Sequence, residues 1–386
     1  MTSIALILGF ISITIWIVLL FGWGKFWLVT VFDADQETVP SPTIWPSVVA
    51  IVPARNEASA IGQSVASLAR QEYFGEFRII IVDDHSDDDT AAIASHSGKE
   101  NGAEARVEIC AAGDLPPGWT GKLWAMNEGL KSARSEPAYY WFTDADIVHR
   151  PNTLQRLVSR AEWSSLDLTS LMVLLHAKTL PERALIPAFL YFFLQLYPPR
   201  WIAQPQARTA GAAGGCILLR TATLKKIGGL ETIRGEVIDD CALAKRVKGS
   251  GGSVWMGVTR QSVSFRVYED WKELRDMISR TAFTQLNYSA WLLGGTVVGL
   301  FLTYMVPVCL LFAGDIGARF LGIVAFALMT ISFFPTIRFY RLSPLWALTL
   351  PFAALFYSYA ACLSALRFWR GRGGQWKGRS AAAGLS

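Results

Sequence analysis

Three acidic clusters have the residue types and spacing for chemistry. Asp144-Ala145-Asp146 follows the apolar Tyr140-Trp141-Phe142. On an extended chain residues i and i+2 share a face, so both carboxylates are expected to address one ion. Mg²⁺ or Mn²⁺ suits such oxygen ligands and leaves positions open for phosphate oxygens. Val82-Asp83-Asp84-His85-Ser86 sets two adjacent carboxylates where they can accept hydrogen bonds from a ligand, although a solvated turn explains them equally. Asp87, Asp88 and Asp89 just downstream read as that turn and a helix N-cap. Gly235-Glu236-Val237-Ile238-Asp239-Asp240 opens a helical stretch over residues 241–247. A helix N-terminus stabilises an acid, so capping competes with a catalytic role for Asp239. One cap does not need three carboxylates, which leaves Glu236 and Asp240 as candidates for taking a proton from a hydroxyl.

Two cations complete this set. Arg55 lies in Pro53-Ala54-Arg55-Asn56-Glu57, and Lys122 in Gly118-Trp119-Thr120-Gly121-Lys122 at an expected helix start, where anions bind readily. Either alone reads as a surface charge; with a metal-type DxD they describe a diphosphate pocket. There is no GxxxxGK[ST] loop and no GxGxxG after the first strand, which disfavours a P-loop NTPase or a Rossmann dehydrogenase.

The elements that must position these residues are short apolar runs alternating with helical stretches. Residues 47–52 (SVVAIV) read as a buried strand, followed by a helix near residues 59–68. Residues 77–82 and 139–142 read as further strands, each ending in carboxylates. Strand, helix, strand at this spacing predicts an α/β fold with a parallel sheet. Such sheets bind ligands at the carboxyl ends of their strands, especially at a topological switch point. Residues 36–46, with Pro40, Pro42 and Pro46, read as a linker.

Flanking segments belong to a membrane. Residues 4–23 are uncharged over a length of 20, and Lys25 follows, which reads as an uncleaved anchor with the next domain in the cytoplasm. Residues 289–313, 320–337 and 342–366 are three more uncharged runs. A full fourth crossing places the basic tail (Arg367, Arg370, Arg372, Lys377, Arg379) outside, against the positive-inside bias. Pro344 and Pro351 allow a re-entrant last segment instead. Residues 184–196 are apolar but too short to span. The segment from Trp271 has the pattern of a basic amphipathic helix, expected either at the headgroup level or packed on the central domain.

Composition agrees with this division. The 386 residues carry 36 Lys+Arg against 31 Asp+Glu, a net charge of +5, with 52% hydrophobic and only 17% charged residues. Soluble domains carry about 25% charge, and +5 is too weak to argue for nucleic acid. The five scattered cysteines, without a CxxC, read as reduced thiols rather than a disulfide framework or zinc site.

The blocks VAIVPARNE (49–57), IIIVDDHSDDDT (79–90), WTGKLWAMNEGL (119–130), WFTDADIVHRPNTL (141–154), GGCILLRTATLKKIGG (214–229) and GEVIDDCALAKRVK (235–248) resemble, in this order, an inverting glycosyltransferase of family 2 with a GT-A fold. With the anchor, the C-terminal runs and Gln375-Trp376-Lys377-Gly378-Arg379, the chain is similar to the hopene-associated glycosyltransferases of hopanoid-producing bacteria, and more distantly to ceramide glucosyltransferases. The resemblance implies that Asp83 or Asp84 recognises a nucleotide base, with Pro53, Arg55 and Glu57 nearby. It implies that Asp144 and Asp146 hold Mn²⁺ or Mg²⁺ against the donor diphosphate, that Lys122 touches the donor, and that Asp240 is the base beside Asp239 and Glu236. The QxxRW motif of processive synthases is absent; residues 280–286 read RTAFTQL, which favours a single transfer over polymer synthesis.

The expected organisation is an anchor (1–30), a cytoplasmic GT-A domain (31–288), a transmembrane region (289–366) and a basic tail (367–386), in a bacterial inner membrane. The expected reaction moves one sugar, from a UDP-sugar first of all, to a membrane lipid hydroxyl of hopanoid type. Polyprenyl phosphate is the rival acceptor. A non-catalytic sugar-nucleotide or lipid-binding partner is a rival class, opposed by the complete carboxylate set. A solute transporter would need ionisable or broken helices at the midplane, which the apolar runs lack.

Overall fold

The protein is described by a computed structural model covering residues 2–32, 39–371, 375–376 and 379–380. Part of the expected linker (36–38) and the tail residues Arg372 and Lys377 lie outside the described residues. The chain forms two compact units. One gathers described residues within Met1–Val29, Ala177–Arg200 and Val267–Gly374, the other those within Thr30–His176, Trp201–Arg266 and Gln375–Ser386. These limits differ from the expected ones: residues 177–200 and 267–288 belong with the apolar helices.

The second unit is built on an eight-stranded mixed sheet. Its strands are β1 (Val48–Ala54), β2 (Phe77–Asp83), β3 (Val107–Ala111), β4 (Tyr139–Phe142), β5 (Ile147–His149), β6 (Leu168–Leu174), β7 (Ile217–Arg220) and β8 (Val254–Ser264), in the order β3-β2-β1-β4-β7-β6-β8-β5. β1 pairs in parallel with both β2 and β4, placing Ala54 opposite Asp83 and Ile51 opposite Phe142. All seven residues of β1 are buried, as expected of a parallel strand covered on both faces. β7 runs antiparallel to β4 and β6, so the expected parallel sheet holds for β3-β2-β1-β4 and becomes mixed beyond it. The order reverses at β1, between β2 and β4, which makes its carboxyl end a switch point. Arg55, Asp84 and Asp144 lie just beyond the ends of β1, β2 and β4.

The core joins alternate residues of these strands (Ala50, Val52, Ile79, Ile81, Trp141) to the helices Ile61–Ala69 and Thr153–Trp163 through Val65, Leu68, Leu157 and Val158. The helix Ile61–Ala69 buries a single apolar face, and its end is closed by Arg70 N–H donating to the Ala66 and Leu68 carbonyls.

In the apolar unit, four helical segments among the described residues are long and apolar enough to cross a membrane: Ser3–Gly22, Ala290–Leu310, Ile316–Phe339 and Pro344–Trp369. The segment Ala290–Leu310 contains Pro307, which lacks the N–H that would reach the Thr303 carbonyl. Trp16 Nε1 donates to that carbonyl instead, at 3.1 Å, and the backbone widens into a π turn over Phe301–Met305. The short apolar stretch expected at 184–196 is a helix, Leu180–Leu196, opened by a capping box between Thr179 and Glu182. It packs among the apolar helices: Tyr191 meets Phe26 and Phe333, and its hydroxyl lies 2.7 Å from Ser332 Oγ. The amphipathic helix Trp271–Ser279 packs on the last apolar helix, through Trp271 against Phe352 and Phe356 and through Arg367 bonded to Ser279 and Asp276.

Candidate active site

The pocket is assembled from two helix starts and from the loops that follow β4 and precede β7. Lys122, in the first turn of the helix Gly121–Ser132, lines it together with Thr143, Asp144, Gly214, Asp239 and Asp240. Lys122 Nζ lies 2.9 Å from Asp144 Oδ1 and 3.3 Å from Asp239 Oδ2. Asp239 and Asp240 form the first turn of the helix Asp239–Gly249. Asp240 Oδ2 accepts from Gly214 N–H at 2.8 Å and Oδ1 from Cys241 N–H at 2.7 Å.

Electrostatics divide these groups. Burial, and then the neighbouring Asp239, push the Asp240 carboxyl up to about 6, against the opposing pull of Lys122 and the two backbone donors. Burial would lower the Lys122 ammonium, but Asp144 and Asp239 outweigh it and hold it above its ordinary value. Lys122 therefore stays charged, while Asp240 is an ionised carboxylate at neutral pH with unusual affinity for a proton. Three carboxylates around one ammonium leave the pocket formally negative, unsuited to a diphosphate unless a further cation accompanies it.

The DxD residues do not share one face. Ile147 N–H donates to the Asp144 carbonyl at 3.2 Å, closing a turn that replaces the expected extended stretch. Asp144 faces Lys122, whereas Asp146 is buried, accepts from Ser264 Oγ at 2.8 Å and lies 3.5 Å from Arg266 Nε. Among the described residues no group of three or more His, Cys, Asp or Glu converges to cage a metal. A cation shared with a diphosphate needs only one or two carboxylates, and the half-exposed Asp144 fits that need. Asp146 fits it only after exchanging Arg266.

The remaining expected residues occupy other places. Pro53 lines the same pocket. Arg55 turns away from it, donating to the carbonyls of Asp84 and of His85 (2.9 Å) and so pinning the β2 loop to the β1 loop. Glu57 Oε1 accepts from Arg266 at 2.8 Å. Asp84 is fully buried, while Asp83 accepts from Ser86 N–H through Oδ2 and keeps Oδ1 buried without a hydrogen-bond partner. Asn56 and His85 adopt φ of +50° and +54°, a conformation asparagine and histidine tolerate better than most residues. Asp88 caps the next helix by accepting from Thr90 N–H at 3.1 Å. Glu236 is exposed and is not among the residues lining the pocket.

Sequence reasoning missed Gly214, Ser264 and Arg266. A Cβ on Gly214 would stand 3.1 Å from Lys122 Nζ and 3.3 Å from Asp240 Oδ2, so glycine lets the backbone reach the base. The pair Gly214-Gly215 before an apolar strand was the available signal. Ser264 and Arg266 carried none, because they meet Asp146 only through the pairing of β5 with β8.

Residues 49–228 match the family model described as Glycosyl transferase family 2, a stretch that holds Asp83, Lys122 and Asp144 and ends before Asp240. The chain is 31% identical over 124 residues to an N-acetylglucosaminyltransferase of Mesorhizobium japonicum, covering 32% of this chain and 27% of that protein. It thus spans about a quarter of that relative's length. The fold is similar to the mannosyltransferase PcManGT of Pyrobaculum calidifontis, solved with GDP-Man and Mn²⁺, at a TM-score of 0.58 and 18% identity over 93% of this chain and 99% of that one. Residues 49–228 are thus similar to family 2 glycosyltransferases, and the chain has a GT-A-like α/β fold together with, among the described residues, four helices long and apolar enough to cross a membrane.

Proposed function

We propose that this chain transfers one sugar from a nucleotide-sugar donor to a hydroxyl of a membrane lipid, with inversion at the anomeric carbon. The observation that carries the reading is Asp240, a carboxylate held near 6 by burial and Asp239, beside Lys122 and the exposed face of Asp144. In this reading Asp83, with its buried and unsatisfied Oδ1, takes a donor N–H of the nucleotide base. Lys122 and Asp144 bracket the diphosphate, and Asp144, joined by Asp146, holds Mn²⁺ or Mg²⁺. Such an ion, when bound, neutralises charge on the departing diphosphate. Asp240 accepts the proton of the acceptor hydroxyl as its oxygen bonds to the anomeric carbon, while the bond to the nucleoside diphosphate breaks on the opposite face. Gly214 N–H and Cys241 N–H keep the Asp240 oxygens oriented during that step.

The donor class is supported by the family match and by the relatives, one named for N-acetylglucosamine transfer and one solved with GDP-Man and Mn²⁺. A lipid acceptor is supported by the four apolar helices. A hopanoid-type acceptor, a UDP-sugar donor and a bacterial inner-membrane location with the site facing the cytoplasm rest on the family resemblance and on Lys25 after the first helix. The test is transfer by the detergent-solubilised chain from UDP- and GDP-sugars to a hopanoid alcohol or to polyprenyl phosphate. A single glycosylated hopanoid of inverted configuration is expected. Transfer to polyprenyl phosphate alone would overturn the acceptor, and nucleotide-sugar binding without any transfer would favour a non-catalytic partner.

A further inference from the structure

The buried His149, itself outside the pocket, is engaged in a chain of hydrogen bonds that reaches both sides of it through Thr143. Its Nε2 lies 2.8 Å from Thr143 Oγ1, and its Nδ1 lies 2.8 Å from Ser262 Oγ on β8. The three side chains are 4%, 1% and 0% exposed. Thr143 Oγ1 also sits 2.9 Å from the Gly215 carbonyl, which can only accept. The threonine hydrogen therefore goes to Gly215, so Nε2 must be the donor to Thr143. A neutral imidazole has one N–H, so Nδ1 accepts from Ser262. Burial lowers the ring to about 3 and keeps it neutral. A neutral ring in this tautomer satisfies every partner, whereas a protonated ring would turn Nδ1 into a second donor and oblige Ser262 Oγ to accept instead of donate.

The ends of this chain are informative. Thr143 precedes Asp144, which pairs with Lys122. Gly215 follows Gly214, whose N–H holds Asp240 Oδ2. The strands β4 and β7 pair only up to Phe142 and Ile217, so beyond that register the Thr143–Gly215 bond ties the two loops together.

We propose that His149 is a positioning residue: its bond to Thr143 sets the spacing between the donor-side Asp144 and the Gly214–Asp240 base. This rests on the proposed transfer reaction. A loosened base lowers turnover more than donor affinity, because the Lys122–Asp239 ion pair and Asp83 lie outside the broken link.

The test compares Thr143→Val, Thr143→Ser, His149→Gln and His149→Leu by turnover, by direct donor binding and by hydrogen exchange of the peptide over residues 209–216. Misplacement at a reacting centre costs up to about 100-fold, so His149→Leu and Thr143→Val are each expected to lose about 10- to 100-fold in kcat. Donor Kd should move less than about threefold. The double variant should be no worse than either single one, since both break the same link. Thr143→Ser, which keeps the hydroxyl, and His149→Gln, whose amide N–H replaces the imidazole donor, should stay within about threefold of the parent. Faster exchange at the Gly214 peptide should accompany each loss. Unchanged exchange and turnover in Thr143→Val, or losses that multiply in the double variant, would overturn the proposal. If the parent protein binds no nucleotide sugar, the transfer reading fails, and hydrogen exchange in Thr143→Val still decides whether the link holds the Gly214 loop.

Discussion

Two acidic regions of the molecule look alike in the sequence and differ in the structure. Between Asp83 and Asp89 five carboxylates fall within seven residues, and the exposed Asp87 lies 4.0 Å from the Arg55 guanidinium. Asp83 and Asp88 accept from backbone N–H groups, Asp84 is buried, and Asp87 is 84% exposed. Asp144, Asp239 and Asp240 come from distant segments and converge on one buried ammonium, with the Asp240 carboxyl raised to about 6. The density of acids along the chain is therefore a poor guide to reactivity. Burial beside a neighbouring like charge raises a carboxylate's affinity for a proton, and that setting is assembled by the fold rather than by the local density of acids.

That contrast can be broken or sharpened by substitution. The largest effect is expected at Asp240→Asn. Loss of a positioned general base costs about 100- to 10,000-fold, so kcat should fall by that order while donor binding survives. Retained turnover would remove Asp240 from the chemistry. Asp144→Asn with Asp146→Asn should lower turnover by about 100-fold at fixed Mn²⁺ and raise the Mn²⁺ concentration needed for half-maximal rate, as followed in a metal titration. Gly214→Ala should come next, because the added methyl meets Lys122 and Asp240. A loss of about tenfold in kcat with an unchanged fold, checked by thermal melting, is expected for this small displacement. The parent rate should also fall by about tenfold per pH unit below pH 6, as Asp240 takes up the proton it must otherwise accept; Lys122, held above its ordinary value, adds no break below neutrality. The smallest effect is expected at Glu236→Gln, on an exposed turn, where turnover should stay within about threefold.

Much of this arrangement was legible in the chain. β1, β2 and β4 are continuous apolar runs because parallel strands are buried on both faces, and their ends were visible as the polar residues that follow. The four apolar segments were legible from length alone. Other parts were hidden for identifiable reasons. β5 is only three residues long, too short for a periodic signal, and β7, though as long as β4, runs straight into the helix Thr221–Lys226 without the acidic cluster that marks the end of β4. The helix Leu180–Leu196 joins the apolar unit through Tyr191, a partnership set by residues far along the chain. Arg55 has the charge of a phosphate ligand but a geometry that serves two carbonyls. The DxD spacing suggested one shared ion, and the turn closed at Ile147 sent Asp146 toward Ser264 and Arg266 instead.

The most direct test of the central claim, that the Lys122 pocket receives a nucleotide diphosphate sugar, is a calorimetric titration of the solubilised protein. UDP-, GDP- and ADP-sugars would be titrated with and without Mn²⁺, in the parent chain and in Asp144→Asn with Asp146→Asn. The account predicts that one nucleotide sugar binds, that Mn²⁺ strengthens it, and that the double substitution abolishes the metal effect. Equal binding in parent and variant, or binding of none of the donors, would contradict it.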